Sequence, residues 1–373
     1  MQKFRWMMIL WILIITGCSR MPQAGAISTE AVQAMPQVQT TAPAEENPPA
    51  TEAAESPEAE QSKDPEQDID LSLKPNEAGK IMVLMYHNIG NEEKEWVRTP
   101  QNFLKDLTAL YEKGYRPISL TDYVTGQIST EQGKTPVVIT FDDGNLNNFE
   151  YLADGTIRRD SAVGILLDFH ASHPDFPLEA TFFLDGSRPF RQKDVIGQKL
   201  DFLIEQGMDV GNHTKTHENL KNLTGAGIQE QIGAQAQFLE GLIRKEGYRV
   251  NTLALPFGAR PKEQNMQTFL FSGRYKDIPY ENIAVLNVGW LPGYSPYDSR
   301  FDWRSIPRVR ASEMNVGQFG IYSYLDYFEK NPQERFISDG VADIMTVPED
   351  RKALIHLNSE RELYVYPTAP ETD

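Results

Sequence analysis

Pro136-Val137-Val138-Ile139-Thr140-Phe141 runs without a break into two adjacent acids and a glycine, Asp142-Asp143-Gly144. The β-branched and aromatic side chains favour a pleated, buried strand, and Gly144 supplies the turn that releases it. Two carboxylates are therefore presented where a core strand stops. Neighbouring carboxylates repel, so the pair stays ionised in a folded protein only if a cation, a proton or a hydrogen-bond network compensates. The competing reading, an ordinary solvated Asp-Asp-Gly turn, is weakened by the buried run in front of it.

Strands and helices alternate around this stretch from Gly79 onward. Ile81 to His87, Pro117 to Leu120, Ala180 to Leu184, Met208 to His213, Thr252 to Leu255, Ile283 to Val288 and Ile306 to Val309 read as further strands. Thr99 caps a helix beginning at Pro100 and closed by Gly114; Val195–Gln206 and Ile228–Lys245 are further helices. The alternation predicts the α/β class: a single distorted (β/α) barrel of about seven parallel strands. Asn145 to Pro177 is expected to be a long irregular loop or lid containing His170 and His173.

Chemistry in such barrels gathers at the C-terminal ends of the strands. His87, Asp142 with Asp143, His213, Pro256-Phe257-Gly258 and Asp302-Trp303 all fall at or near predicted strand ends. His213-Thr214-Lys215-Thr216-His217 places two histidines four apart, one helical turn, so that both imidazoles can face one point. Joined to an Asp they form a two-His, one-carboxylate set that leaves positions open for water and substrate, as a catalytic metal requires. A divalent ion also relieves the acid pair: one carboxylate binds it and the other remains a base.

The N-terminus carries a different signal. Lys3 and Arg5 precede the apolar run Trp6–Ile15, and Ile15-Thr16-Gly17-Cys18 follows the pattern of a lipoprotein box, so residues 1–18 are expected to be a signal peptide with Cys18 as the lipidated residue. Cys18 is the single cysteine, which leaves an exported protein without disulfides. Residues 19–76, with eight prolines and eleven acids against three basic residues, are expected to be a disordered Pro/Ala/Glu-rich linker. The localisation that follows is extracytoplasmic, on the membrane through a lipid anchor. With a net charge of -17 and no basic cluster, the chain is a poor partner for nucleic acid.

Thr140-Phe141-Asp142-Asp143-Gly144 and His213-Thr214-Lys215-Thr216-His217 resemble the first and second motifs of the polysaccharide deacetylase family (carbohydrate esterase family 4). The resemblance makes 77–373 the deacetylase domain with a C-terminal extension. It implies that Asp143, His213 and His217 bind a divalent metal, commonly zinc, and that Asp142 is the general base. Pro256-Phe257-Gly258 matches the third motif, whose backbone N–H, here of Phe257, helps hold the oxyanion. Asp302-Trp303 resembles the fourth, with the Trp walling the substrate groove.

Two departures stand out. Ala254 occupies the place of an arginine that orients the base, and Arg308 is a candidate to replace it from another strand. No late histidine motif is visible: His356 only imitates one. Met85-Tyr86-His87 resembles instead the circularly permuted branch, which includes deacetylases of poly-β-1,6-N-acetylglucosamine, and this implies that His87 is the catalytic acid. The expected function is removal of N-acetyl groups from a polysaccharide of N-acetylglucosamine type. The alternatives are an O-acetyl glycan esterase and a degenerate carbohydrate-binding module.

Overall fold

The computed structural model describes residues 68–357 and 361–368. The expected signal peptide, Cys18 and the linker as far as residue 67 lie outside the described residues. The last part of the expected linker is folded. Leu71–Leu73 form a 3-10 turn, and the buried Asn76 donates its side-chain amide to the Gln333 and Arg335 carbonyls. These backbone partners from the C-terminal stretch outweigh the polar composition of 68–76.

Eight strands build the main sheet: β1 (Met82–Tyr86), β2 (Tyr115–Pro117), β3 (Thr135–Phe141), β4 (Thr181–Leu184), β5 (Asp209–Asn212), β6 (Thr252–Ala254), β7 (Ala284–Leu286) and β8 (Val309–Arg310). Every pairing is parallel, in the order β7-β6-β5-β4-β3-β1-β8, with β2 beside the first half of β3. Seven strands thus curl into a distorted barrel. The segment ending in β8 joins its two edges: Ile306 donates to the Val285 carbonyl beside β7, and Val309 and Arg310 pair with Leu84 and Met85 of β1. All seven residues of β3 are buried, as a strand covered on both faces must be.

Five longer helices pack outside the sheet: α1 (Pro100–Glu112), α2 (Ala162–Ser172), α3 (Ile196–Glu205), α4 (Gly225–Glu240) and α5 (Ile321–Lys330). The Thr99 hydroxyl caps α1 by accepting from the Asn102 amide, with Pro100 at the first helical position. Phe103, Leu107 and Leu110 of α1 are fully buried, each contributing about 1.5–3 kcal/mol by transfer from water.

Helix α2 corrects the expectation of a structureless connection between Asn145 and Pro177. His170 Nδ1–H donates to the Phe176 carbonyl, 2.8 Å away, and His173 stacks on Phe169 at 4.2 Å. Both close the helix end. The C-terminal stretch also folds: Ile344–Pro348 pairs in parallel with Glu362–Tyr366, and Phe336, Met345 and Val347 join the core beneath the barrel.

Candidate active site

The open end of the barrel is unusually rich in left-handed backbone. Asp143, Thr214, His217 and Phe257 have φ of 71°, 70°, 53° and 58°. Side chains other than glycine adopt this region at a cost of about 1–3 kcal/mol, and such residues persist where the surroundings over-determine them. Here they aim successive side chains into one cleft of about 430 Å³, lined by His87, Trp96, Asp142, Asp143, His213, His217, Leu255, Phe257 and Val288.

The two histidines reach that cleft from a loop, correcting the helical turn expected from their spacing. Asn212, at the end of β5, donates its side-chain amide to the Ile232 carbonyl of α4 and accepts from the Thr214 amide. Gln231 of α4 accepts from Thr216 N and donates to Thr216 Oγ1, while its carbonyl accepts from Lys215 N. Two buried amides, Asn212 on the strand and Gln231 on the helix, therefore fix the loop between the histidines. His213 Nδ1–H donates to the Ala254 carbonyl at 2.8 Å, which leaves Nε2 facing the cleft.

His213 Nε2 and His217 Nε2 lie 3.4 and 3.5 Å from Asp143 Oδ1, and one ligand atom from each of the three lies within 4.8 Å of the others. Two imidazoles and one carboxylate converging on an open cleft are a donor set suited to a divalent transition metal. Arg191 donates to the Asp143 carbonyl, and Phe190 N–H to the Gly144 carbonyl, so the turn carrying the acid is held from the β4 side.

Asp142 has a different environment. Its carboxylate accepts two hydrogen bonds from Arg308, Nη1 to Oδ1 at 2.8 Å and Nη2 to Oδ2 at 2.7 Å, and both side chains are buried. Burial alone would raise the Asp142 carboxyl, but the Arg308 guanidinium, with His213 and His87, overcomes it and holds the group well below the usual carboxylate range. Arg308 also donates Nε–H to the Asn287 carbonyl and Nη1–H to Thr140 Oγ1. Ala254, fully buried, has no side chain able to make these bonds.

His87, at the C-terminal end of β1, faces Asp142 with Nε2 at 3.9 Å from Oδ2 and packs against Trp96 at 4.7 Å. Burial lowers its pKa, while Asp142 and Asp143 pull it upward. Pro256-Phe257-Gly258 forms a 3-10 turn after β6, and no acceptor is found for the Phe257 N–H among the described residues.

Asp302 and Trp303 do not reach the cleft. Asp302 accepts from the Arg304 amide, and the Trp303 ring lies between Phe271 and the Arg304 guanidinium. The reason is a turn: Ser305 N–H donates to the Asp302 carbonyl and the Trp303 carbonyl accepts from Val285 N–H, so both residues lie before the chain straightens and carries Arg308 to Asp142. Besides Phe257, the exposed aromatics near the cleft are Trp96 and Trp290, which flank the buried Arg310 guanidinium at 4.8 and 4.9 Å. Neither belongs to a recognisable motif. His356 is exposed, away from the cleft, with its backbone N–H on the Tyr297 carbonyl.

Residues 129–268 match the family Polysaccharide deacetylase. YxkH of Bacillus subtilis (strain 168), whose own assignment as a polysaccharide deacetylase is provisional, is 21% identical over 321 residues, covering 84% of this chain and 97% of its own. Among solved structures, BC0361, a polysaccharide deacetylase from Bacillus cereus, is 20% identical with a TM-score of 0.48, covering 66% of this chain and 68% of its own. IcaB from Ammonifex degensii is 19% identical with a TM-score of 0.47, covering 66% and 97%. The acid pair, both cleft histidines and Phe257 therefore lie within the segment that matches the polysaccharide deacetylase family model.

Proposed function

We propose that the protein is a metal-dependent hydrolase that removes N-acetyl groups from a polysaccharide of N-acetylglucosamine type. The observation that carries this reading is the division of the acid pair. Asp143 converges with His213 and His217, while Asp142 is held apart by Arg308 and faces His87 across the same cleft.

Asp143, His213 and His217 would hold the ion, zinc being the expected one. When bound, such an ion supplies Lewis acidity, lowering the pKa of a water and polarising an acetyl carbonyl. Asp142, kept ionised by Arg308, accepts the proton of the attacking water. The Phe257 N–H donates to the oxygen of the tetrahedral centre, an interaction strengthened by its fixed orientation. His87 gives a proton to the leaving nitrogen, so acetate and a free amine are released.

We further propose that Cys18 carries a lipid and that the chain acts outside the membrane. Mass spectrometry of the membrane fraction checks this: a lipid mass on Cys18 is expected, and an unmodified N-terminus beyond residue 18 contradicts it.

The activity is tested by acetate release from N-acetylglucosamine oligomers and from O-acetylated glycans, before and after chelation. Release from the N-acetylated series, lost with chelator and restored by zinc, is expected. Release from O-acetylated glycans alone would replace the amidase with an esterase.

A further inference from the structure

A second groove, of about 490 Å³, opens outside the family-matched segment and reaches from the loop after β7 to Lys80, ahead of β1. It lies between the loop after β7 and helix α5. Its apolar lining comes from Leu291, Tyr294, Phe319, Tyr324 and Tyr327, and Ser323 adds a hydroxyl. One short stretch of chain links the groove to the cleft. Val288 lines the cleft and Leu291 lines the groove, three residues apart, which is at most about 10 Å.

Trp290 stands between the two openings, and its loop is held from both sides. The Tyr324 hydroxyl of α5 donates to the Trp290 carbonyl at 2.6 Å, and the Phe319 ring lies 6.1 Å from the Trp290 ring. On the cleft side the Arg310 guanidinium sits between Trp290 and Trp96, fixed by Glu95 Oε1 at 2.7 Å and by the Met314 and Asn315 carbonyls. Trp96 in turn packs on His87. A line of aromatic side chains thus runs from His87 over the Trp96-Arg310-Trp290 stack to Phe319 and the tyrosines.

We infer that this line and the groove at its end form an accessory saccharide-binding subsite, which takes sugar units flanking the one that reacts in the cleft. The inference rests on the reading of the cleft as acting on a polysaccharide. A pyranose ring presents an apolar C–H face that suits an exposed aromatic ring, and hydroxyls around its rim that suit Ser323 and the tyrosines. A charged ligand is not called for, because Lys80, the ionised side chain lining the groove, is paired with Glu334 at 3.2 Å. The preformed geometry lets flanking sugars bind without ordering the loops first.

The test compares a disaccharide with a long oligomer of N-acetylglucosamine, using the full chain and Tyr327→Ala. Tyr327 is 39% exposed, so its truncation leaves the core intact. For the long oligomer KM is expected to rise about three- to tenfold with kcat unchanged, while disaccharide kinetics stay within about twofold. An unchanged KM for the long oligomer overturns the subsite.

Affinity electrophoresis in gels containing the polymer, in an Asp142→Asn background, reads binding without turnover. Retention that falls with Tyr327→Ala sustains the subsite, and equal retention of the two proteins overturns it. Absence of acetate release from every oligomer would refute the deacetylase reading alone, because the gel judges the groove separately.

Discussion

Two buried carboxylates stand at opposite ends of the barrel and are treated in opposite ways. Asp142, at the C-terminal end of β3, receives two short hydrogen bonds from Arg308, and its pKa is driven down. Glu77 precedes β1 at the other end, below the core. Arg361 approaches it only to 3.9 Å, Oε2 has no hydrogen-bond partner, and the buried Asp339 lies nearby. Burial, reinforced by Asp339 and only partly offset by Arg361, pushes the Glu77 carboxyl well above the usual range. Equal burial therefore accompanies opposite shifts, one carboxyl pulled down and the other pushed up. What separates them is two-point contact with a guanidinium, not the presence of an arginine nearby.

The comparison breaks first at Arg308. Arg308→Met leaves Asp142 buried and unpaired, so unfolding in urea should show a loss of about 3–5 kcal/mol. Acetate release should fall together with that of Asp142→Asn, by about 10²–10⁴-fold. A stable, active Arg308→Met protein would remove the guanidinium from the account.

Glu77→Gln is predicted to do the reverse. A carboxyl whose folded pKa is raised contributes stability that is fully present below its unfolded pKa, about 4.3, and is lost as pH rises through the folded value. Glutamine mimics the protonated form. The variant should therefore gain on the parent between pH 5 and pH 8 in urea titrations, with acetate release unchanged. A gain that is constant across that range would mean Glu77 is ionised throughout.

The smallest effect is expected at Arg361, which donates to the Ile344 and Ile128 carbonyls as well as approaching Glu77. Arg361→Met should cost about 1–3 kcal/mol through those unpaired carbonyls, again without changing acetate release. A loss as large as that of Arg308→Met would make the two ends equivalent after all.

The parallel barrel was legible because β1, β3 and β4 are built almost wholly of aliphatic, aromatic and β-branched residues and are separated by helices with capping residues. Helix α2 was missed for a physical reason. Ala162, Val163, Gly164, Ile165, Leu166 and Phe169 are all buried, so its first turns show no polar face, and Gly164 reads as a breaker.

The residues gathered at the cleft could be named because their chemistry is demanding: two acids side by side, two histidines four apart, an arginine wanted and Ala254 in its place. The route by which they meet could not. No local rule puts Thr214, a β-branched residue, at positive φ, and that choice follows from contacts with Asn212 and Gln231. Trp96, Trp290 and Arg310 carried no motif, since their arrangement comes from loops that meet only in three dimensions. Asp302-Trp303 carried a motif without the geometry to match.

The barrel closes through the segment that carries Arg308, 166 residues after Asp142. Asp142, Asp143, His213 and His217 all precede it in the order of synthesis. A chain emerging from the ribosome therefore possesses the acid pair and both histidines long before it possesses the side chain that keeps Asp142 charged and aimed. The two hydrogen bonds that fix Asp142 therefore form late, with the final stitch of the sheet.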